Sequence, residues 1–229
     1  MPSPPLPLRY RFTRWWMNAI ARLTMRVEVR HLDRLPHTGP YIIVSNHLHL
    51  FDGPLLFSIV EDRDMHGFVG STHRANPFYR FVVEPLDIIW LHRGDVDKTA
   101  LTTALDFLKR GRILGVAPEG TRSKTGAMQI GKEGVAFLVS RARVPVYPCA
   151  ITGTEKVFAA WKRLRRPLVT VTVGEPFDLT AIEAPERHKR LAVWTEEIMC
   201  RIAALLPPEY RGVYAGHPRL QELLHPPTG

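Results

Sequence analysis

Residues 41–54 read Tyr41-Ile42-Ile43-Val44-Ser45-Asn46-His47-Leu48-His49-Leu50-Phe51-Asp52-Gly53-Pro54. Four successive apolar residues without alternation describe a strand covered on both faces, and such strands belong to sheets enclosed between helices. A polar cluster follows at the end of the run. Gly53-Pro54 then marks a helix start, with proline in the first turn and Asp52 or Gly53 as cap, so a helix is expected over Pro54 to Val60.

The same succession repeats along the chain. Val27–Val29, Gly67–Gly70, Leu86–Leu91, Ile113–Ala117, Val144–Ile151 and Leu168–Val173 read as strands. Helices are expected over Pro77–Val83, Asp95–Lys109, Lys132–Arg141 and from about Pro185 to Leu206. The helix from Asp95 opens on two acids, sets Leu101, Leu105 and Leu108 on one side, and ends at Gly111. Strands alternating with helices predict an α/β fold: a single layered domain with a mostly parallel or mixed central sheet flanked by helices. A chain of 229 residues buries one core of ordinary size. Ligands in such folds bind beyond the carboxyl ends of strands, and two polar clusters stand there, after Val44 and after Ala117.

Ahead of the first strand, Arg9 to Met25 has helical spacing. Phe12, Trp15, Trp16, Ala19, Ile20 and Leu23 share one face, with Arg11, Arg14, Asn18 and Arg22 opposite. Indoles beside guanidinium groups, with no acid, suit the headgroup layer of a bilayer. Residues 1–26 are therefore expected to form an N-terminal amphipathic membrane-interface helix, and 27–229 the domain proper. No apolar stretch reaches spanning length, and Arg14 and Arg22 interrupt what a signal peptide would need. The net charge of +9 favours anionic partners, here an anionic membrane surface. Nucleic acid is not expected, because the basic residues lack an aromatic stacking platform or a known motif. Cys149 and Cys200 form no CxxC pair and read as small core residues in a reducing compartment.

The first cluster offers His47 as a base and Asp52 to orient it. The spacing occurs twice, since His92 and Asp97 also stand five apart at a strand end before a helix. Residues five apart point about 140° away from one another on a helix, so either pair meets only where the backbone bends. Gly53-Pro54 marks such a bend after the first pair. Asp95 and Asp97 have a structural use in the first turn of a long helix, which assigns His92 a structural or supporting role. No further His or Cys completes a metal set around His47, His49 and Asp52, so no metal and no cofactor are expected. The absence of a G-x-S-x-G elbow argues against a serine hydrolase.

The second cluster, Pro118-Glu119-Gly120-Thr121-Arg122-Ser123, follows a buried strand. A guanidinium there suits phosphate or carboxylate. Gly120 permits close backbone approach, Thr121 adds a hydroxyl, and Arg93 at another strand end reaches the same rim. Glu119 reads as a side chain that orients an arginine rather than as an acid.

Asn46-His47-x4-Asp52, Trp90-Leu91-His92-Arg93, Pro118-Glu119-Gly120-Thr121-Arg122-Ser123 and Val144-Pro145-Val146-Tyr147-Pro148 together resemble the four ordered blocks of the 1-acyl-sn-glycerol-3-phosphate acyltransferase family, over roughly residues 15 to 175. The resemblance implies that His47 and Asp52 are the catalytic dyad, which selects between the two pairs. It implies that Arg93, Glu119, Gly120, Thr121 and Arg122 bind the acceptor phosphate, with Lys132 assisting, and that the block around Pro145 shapes the acyl-donor side. It further implies an acyl-CoA or acyl-carrier protein donor, a lysophospholipid acceptor, no metal, and residence on a membrane surface, here the cytoplasmic face. Two rival readings stand beside it. One is the same fold acylating an aminolipid or glycerol 3-phosphate, or transacylating an intact lipid. The other is a basic membrane-binding module without catalysis, for which the run Lys162-Arg163-Leu164-Arg165-Arg166 and the N-terminal helix would suffice.

Overall fold

The computed structural model describes residues 6–60, 64–92, 97–182 and 189–225. Seven strands form one sheet: β1 (Arg26–Arg30), β2 (Tyr41–Ser45), β3 (Met65–Gly70), β4 (Ile89–Leu91), β5 (Ile113–Val116), β6 (Val146–Thr152) and β7 (Leu168–Val173). Their spatial order is β1-β7-β6-β2-β5-β3-β4. Strands β6, β2, β5, β3 and β4 run parallel, whereas β7 pairs antiparallel with β6 and parallel with β1. The sheet is therefore mixed, with one reversal.

Among the described residues, eight α-helices surround it: α1 (Leu8–Thr24), α2 (Asp52–Ile59), α3 (Pro77–Val83), α4 (Lys98–Lys109), α5 (Gly134–Ala142), α6 (Val157–Trp161), α7 (Arg190–Ala204) and α8 (Pro218–Leu224). Strand β2 shows why its sequence does not alternate. Ile42 and Val44 pack into one core with α4, α5, α7 and α8. Tyr41 and Ile43 pack into a second core with α1 and α2. With an apolar requirement on both faces, every position in the run is buried. Cys149 and Cys200 lie one in each core, and burial pushes both thiols up to about 12.

Several elements differ from the sequence reading. Helix α4 starts at Lys98, capped by the Asp97 side chain on the Ala100 N–H, and Asp95 lies outside the described residues. The strand expected over Leu86–Leu91 shortens to Ile89–Leu91 because Glu84–Leu86 coil tightly and Asp87 takes a left-handed φ of 52°. The last long helix is described from Arg190; residues 183–188 of its expected start are outside the described set. Short helices α6 and α8 had no clear period in the sequence.

Helix α1 packs on the domain through a stripe the sequence reading did not single out, and leaves most of the aromatic stripe exposed. Tyr10, Thr13, Met17 and Ala21 pack inward, and the Tyr10 hydroxyl donates to the Met65 carbonyl at 2.9 Å. Phe12, Trp15, Ile20 and Leu23 remain exposed, while Trp16 is half-buried and stacks on Phe81 with ring centroids 6.4 Å apart. No helix among the described residues is long and apolar enough to cross a membrane.

Candidate active site

Parallel pairing of β2 with β5 (Val44 opposite Val116) places the two polar clusters side by side at the carboxyl edge. They are joined through the main chain of His47. Its N–H donates to Glu119 Oε1 at 2.9 Å, and its carbonyl accepts from the Ser123 N–H at 2.7 Å. Asn46, fully buried, ties the same loop to β6 on the other side through two 2.8 Å bonds with the Ile151 main chain. The His47 loop is held from both neighbouring strands.

The side chains of His47 and Asp52 meet, with Nδ1 to Oδ2 at 2.8 Å. The bend that allows this is a turn in which the Asp52 carboxylate also accepts the His49 N–H at 2.7 Å. Asp52 does not cap α2 with its side chain, contrary to the sequence reading, because the carboxylate is turned inward to these donors. Its other oxygen accepts the Thr154 hydroxyl at 2.6 Å. A buried carboxylate with three donors is well compensated. With Nδ1–H directed at Asp52, the imidazole Nε2 carries the free lone pair, the state a general base requires.

The second pair also forms: His92 Nδ1 lies 3.0 Å from Asp97 Oδ2. Its setting differs. The His92 side chain is 73% exposed, whereas His47 is 28% exposed. Asp97 caps α4 and takes the His92 N–H as well, and these hydrogen bonds hold its carboxyl down at about 2. Strands β2 and β4 stand three steps apart, roughly 14 Å at ordinary strand spacing, so the two pairs rise from different parts of the carboxyl edge.

A cavity of about 600 Å³ opens beside His47. Met17 of α1, Phe57 of α2, Val83 of α3, Leu101 of α4 and Leu138 of α5 give it apolar walls, while His47, Thr121, Arg122 and Lys132 line it as polar groups, and His92 and Asp97 border the same cavity. Its size falls within the ~300–1,000 Å³ range of small-molecule sites. Gly120 has φ of 66°, and a Cβ there would come 3.1 Å from Lys132 Cδ. Glycine thus serves both the backbone turn and the passage of the lysine side chain. Arg93 lies outside the described residues.

Glu119 requires correction. It is 2% exposed, and its oxygens accept main-chain N–H groups of His47 and, at 3.0 Å, Gln129, rather than orienting an arginine or facing the cavity. Burial pushes its carboxyl above the usual range. The block around Pro145 runs from the amino end of the sheet, where Val146 pairs with Ile42, to Pro148, which stands beside Val44 three residues before His47. Strand β6 leads on from it to Thr154, whose hydroxyl bonds Asp52 and which the sequence reading missed. The signal was present: Thr152-Gly153-Thr154 is a third polar cluster at a strand end.

Thr154 positions Asp52, and this is testable. Thr154→Val keeps the shape and removes the donor, so kcat should fall roughly ten- to hundredfold, the worth of one hydrogen bond to a charged group. KM should hold, and Thr154→Ser should restore the rate. Equal rates for the valine and serine variants would refute the role.

A histidine oriented by a buried aspartate at the mouth of an apolar cavity has the geometry that general-base chemistry on a bound hydroxyl requires. The family model described as Acyltransferase matches residues 26–152, more than half of the chain, and the chain belongs to that family. Among relatives, it is 28% identical over 193 residues to mouse 1-acyl-sn-glycerol-3-phosphate acyltransferase alpha, covering 75% of this chain and 65% of the mouse protein. It is 29% identical over 147 residues to the lyso-ornithine lipid O-acyltransferase of Pseudomonas aeruginosa, covering 64% of this chain and 55% of that protein. With the 1-acyl-sn-glycerol-3-phosphate acyltransferase of Bacillus subtilis it shares 22% identity over 86% of this chain and 96% of the other. The crystal structure of the 1-acyl-sn-glycerophosphate (LPA) acyltransferase from Thermotoga maritima superposes with a TM-score of 0.61 at 24% identity, over 82% of this chain and 79% of that one, and shares the fold.

Proposed function

We propose that this protein moves a fatty acyl group from an acyl thioester, acyl-CoA or acyl-carrier protein, to the free hydroxyl of a lysophosphatidate-like acceptor in phospholipid synthesis. The observation that carries the reading is the buried Asp52 behind His47 at the head of an apolar cavity whose polar side includes Arg122 and Lys132. His47 Nε2 takes the acceptor hydroxyl proton as that oxygen attacks the thioester carbonyl. The tetrahedral adduct collapses, the C–S bond breaks, and the thiolate takes the proton back from Nε2. Asp52 stabilises the imidazolium that exists between the two transfers. Arg122, Lys132, Thr121 and the Gly120 turn hold the phosphate. The apolar walls take the acyl chain.

The exposed side of α1 (Phe12, Trp15, Ile20 and Leu23) lies in the interfacial layer of the membrane's cytoplasmic face, where the lysophospholipid acceptor resides. The experiment is transfer of labelled acyl groups, from acyl-CoA and from acyl-carrier protein, to lysophosphatidate, lyso-ornithine lipid and glycerol 3-phosphate. Lysophosphatidate should be used best, and Arg122→Ala should raise its KM about tenfold or more, as expected for loss of a charge-assisted contact made in the ground state. Faster use of the aminolipid, with a KM indifferent to Arg122, would move the acceptor to that class. No transfer to any acceptor would leave a membrane-binding module.

A further inference from the structure

The run Lys162-Arg163-Leu164-Arg165-Arg166 plays no part in the chemistry above. It carries four cations and no acid. At its centre Leu164 is 98% exposed and held at φ of 53°, a left-handed conformation that branched and bulky side chains avoid. The turn is well made. Lys162, Arg163, Leu164 and Arg165 all donate their N–H groups back to carbonyls of residues 158–161, at 2.9–3.2 Å. The chain is thus folded so that a large apolar side chain projects outward between basic neighbours.

The turn is also fastened to α1. The Arg166 guanidinium donates to the carbonyls of Arg22 and Met25, and the Trp161 indole N–H donates to the Thr24 carbonyl at 3.0 Å. Those carbonyls end the helix, where a cation is also favoured by its dipole. Leu23, 76% exposed, and Leu168, half-exposed at the start of β7, stand on the adjoining segments. Because β7 runs against β6, with Thr170 opposite Thr152, its start lies at the carboxyl ends of the parallel strands. The turn and the end of α1 therefore sit at the same end of the sheet as His47.

We infer that residues 162–166 form a second membrane contact, distinct from α1, in which Leu164 enters the acyl boundary of an anionic bilayer and Lys162, Arg163 and Arg165 engage lipid phosphates. A bilayer fits better than an acidic protein because the apolar projection continues into the exposed stripe of α1, a helix about 25 Å long by its rise per residue. Point cations around an isolated apolar side chain also match a fluid headgroup layer. The inference rests on the proposed interfacial reading of α1, and Arg166 is the link that makes the two contacts one rigid surface. Two anchors fix an orientation, where a single helix would leave the domain free to roll about its axis.

The test is flotation of the full chain with vesicles of phosphatidylcholine alone or containing phosphatidylglycerol. Three variants are compared: Lys162→Ala/Arg163→Ala/Arg165→Ala, Leu164→Gly, and Trp15→Ser/Leu23→Ser. The triple variant should lose about fivefold affinity per cation, roughly a hundredfold in all, on anionic vesicles only. Leu164→Gly should weaken binding to both vesicle types while raising Tm, since glycine accepts the left-handed turn. A purely structural turn would gain stability without losing lipid binding. Wild-type affinity in the triple variant overturns the inference, as does unchanged lipid binding with lost transfer from acyl-carrier protein alone, which would make the turn a carrier dock. Failure of the α1 variant to affect binding, with the triple variant impaired, overturns instead the interfacial role of α1.

Discussion

His47→Ala should lower acyl transfer roughly 10²–10⁴-fold, the usual contribution of a positioned base, with KM for the acceptor little changed. The geometry isolates the effect. The bonds that place residue 47 run through its main chain to Glu119 and Ser123, and Asn46 independently holds β6. Alanine keeps all of them and removes only the imidazole. His92→Ala should cost far less, because His92 is exposed and Asp97 continues to cap α4 on the Ala100 N–H. Steady-state kinetics of the two variants side by side is the measurement. Equal losses would show that both pairs serve the reaction, and a larger loss at His92 would move the base to the other pair on the same cavity.

Glu119→Ala should be damaging in a different way. Two N–H donors, of His47 and Gln129, would lose their acceptor in a closed environment, at about 1–3 kcal/mol each. For a chain of this size that corresponds to a Tm lowered by roughly 5–20 °C. Activity should fall at temperatures where the protein is still folded, because His47 loses one of its restraints, and the fall should appear in kcat rather than KM. Glu119→Gln keeps one accepting oxygen and should be intermediate in both respects. Thermal melts with kinetics at low temperature decide the matter. A stable Glu119→Ala enzyme with a raised KM would return Glu119 to contact with the acceptor.

Much of the fold was legible because β2 faces two cores and states this in an unbroken apolar run. The site was legible for a related reason: ligand-binding loops follow strand ends, and two of these ends carried unusual chemistry. Strand order was not legible. Nothing local says that β5 lies against β2, so nothing local says that Glu119 reaches the His47 amide rather than an arginine. Thr154 was hidden similarly, one strand over in space and 102 residues away in sequence. The two His–Asp pairs could not be separated by spacing because both form; burial of Asp52 against exposure of His92 separates them. In α1 the periodicity picked out the aromatic stripe, most of which is exposed, but not the stripe of Tyr10, Thr13, Met17 and Ala21 that packs on the domain, because that side is only partly apolar.

The bonds through His47 make one unit of loops that belong to different strands. The amides of His47, Ser123 and Gln129 are protected by a single set of partners, so none can be released without loosening the others. Their hydrogen exchange should therefore share one opening event and slow down or speed up together. Loops at a sheet's edge usually fluctuate segment by segment. These two should breathe as one, and the base and the anion site should be lost or kept as a pair.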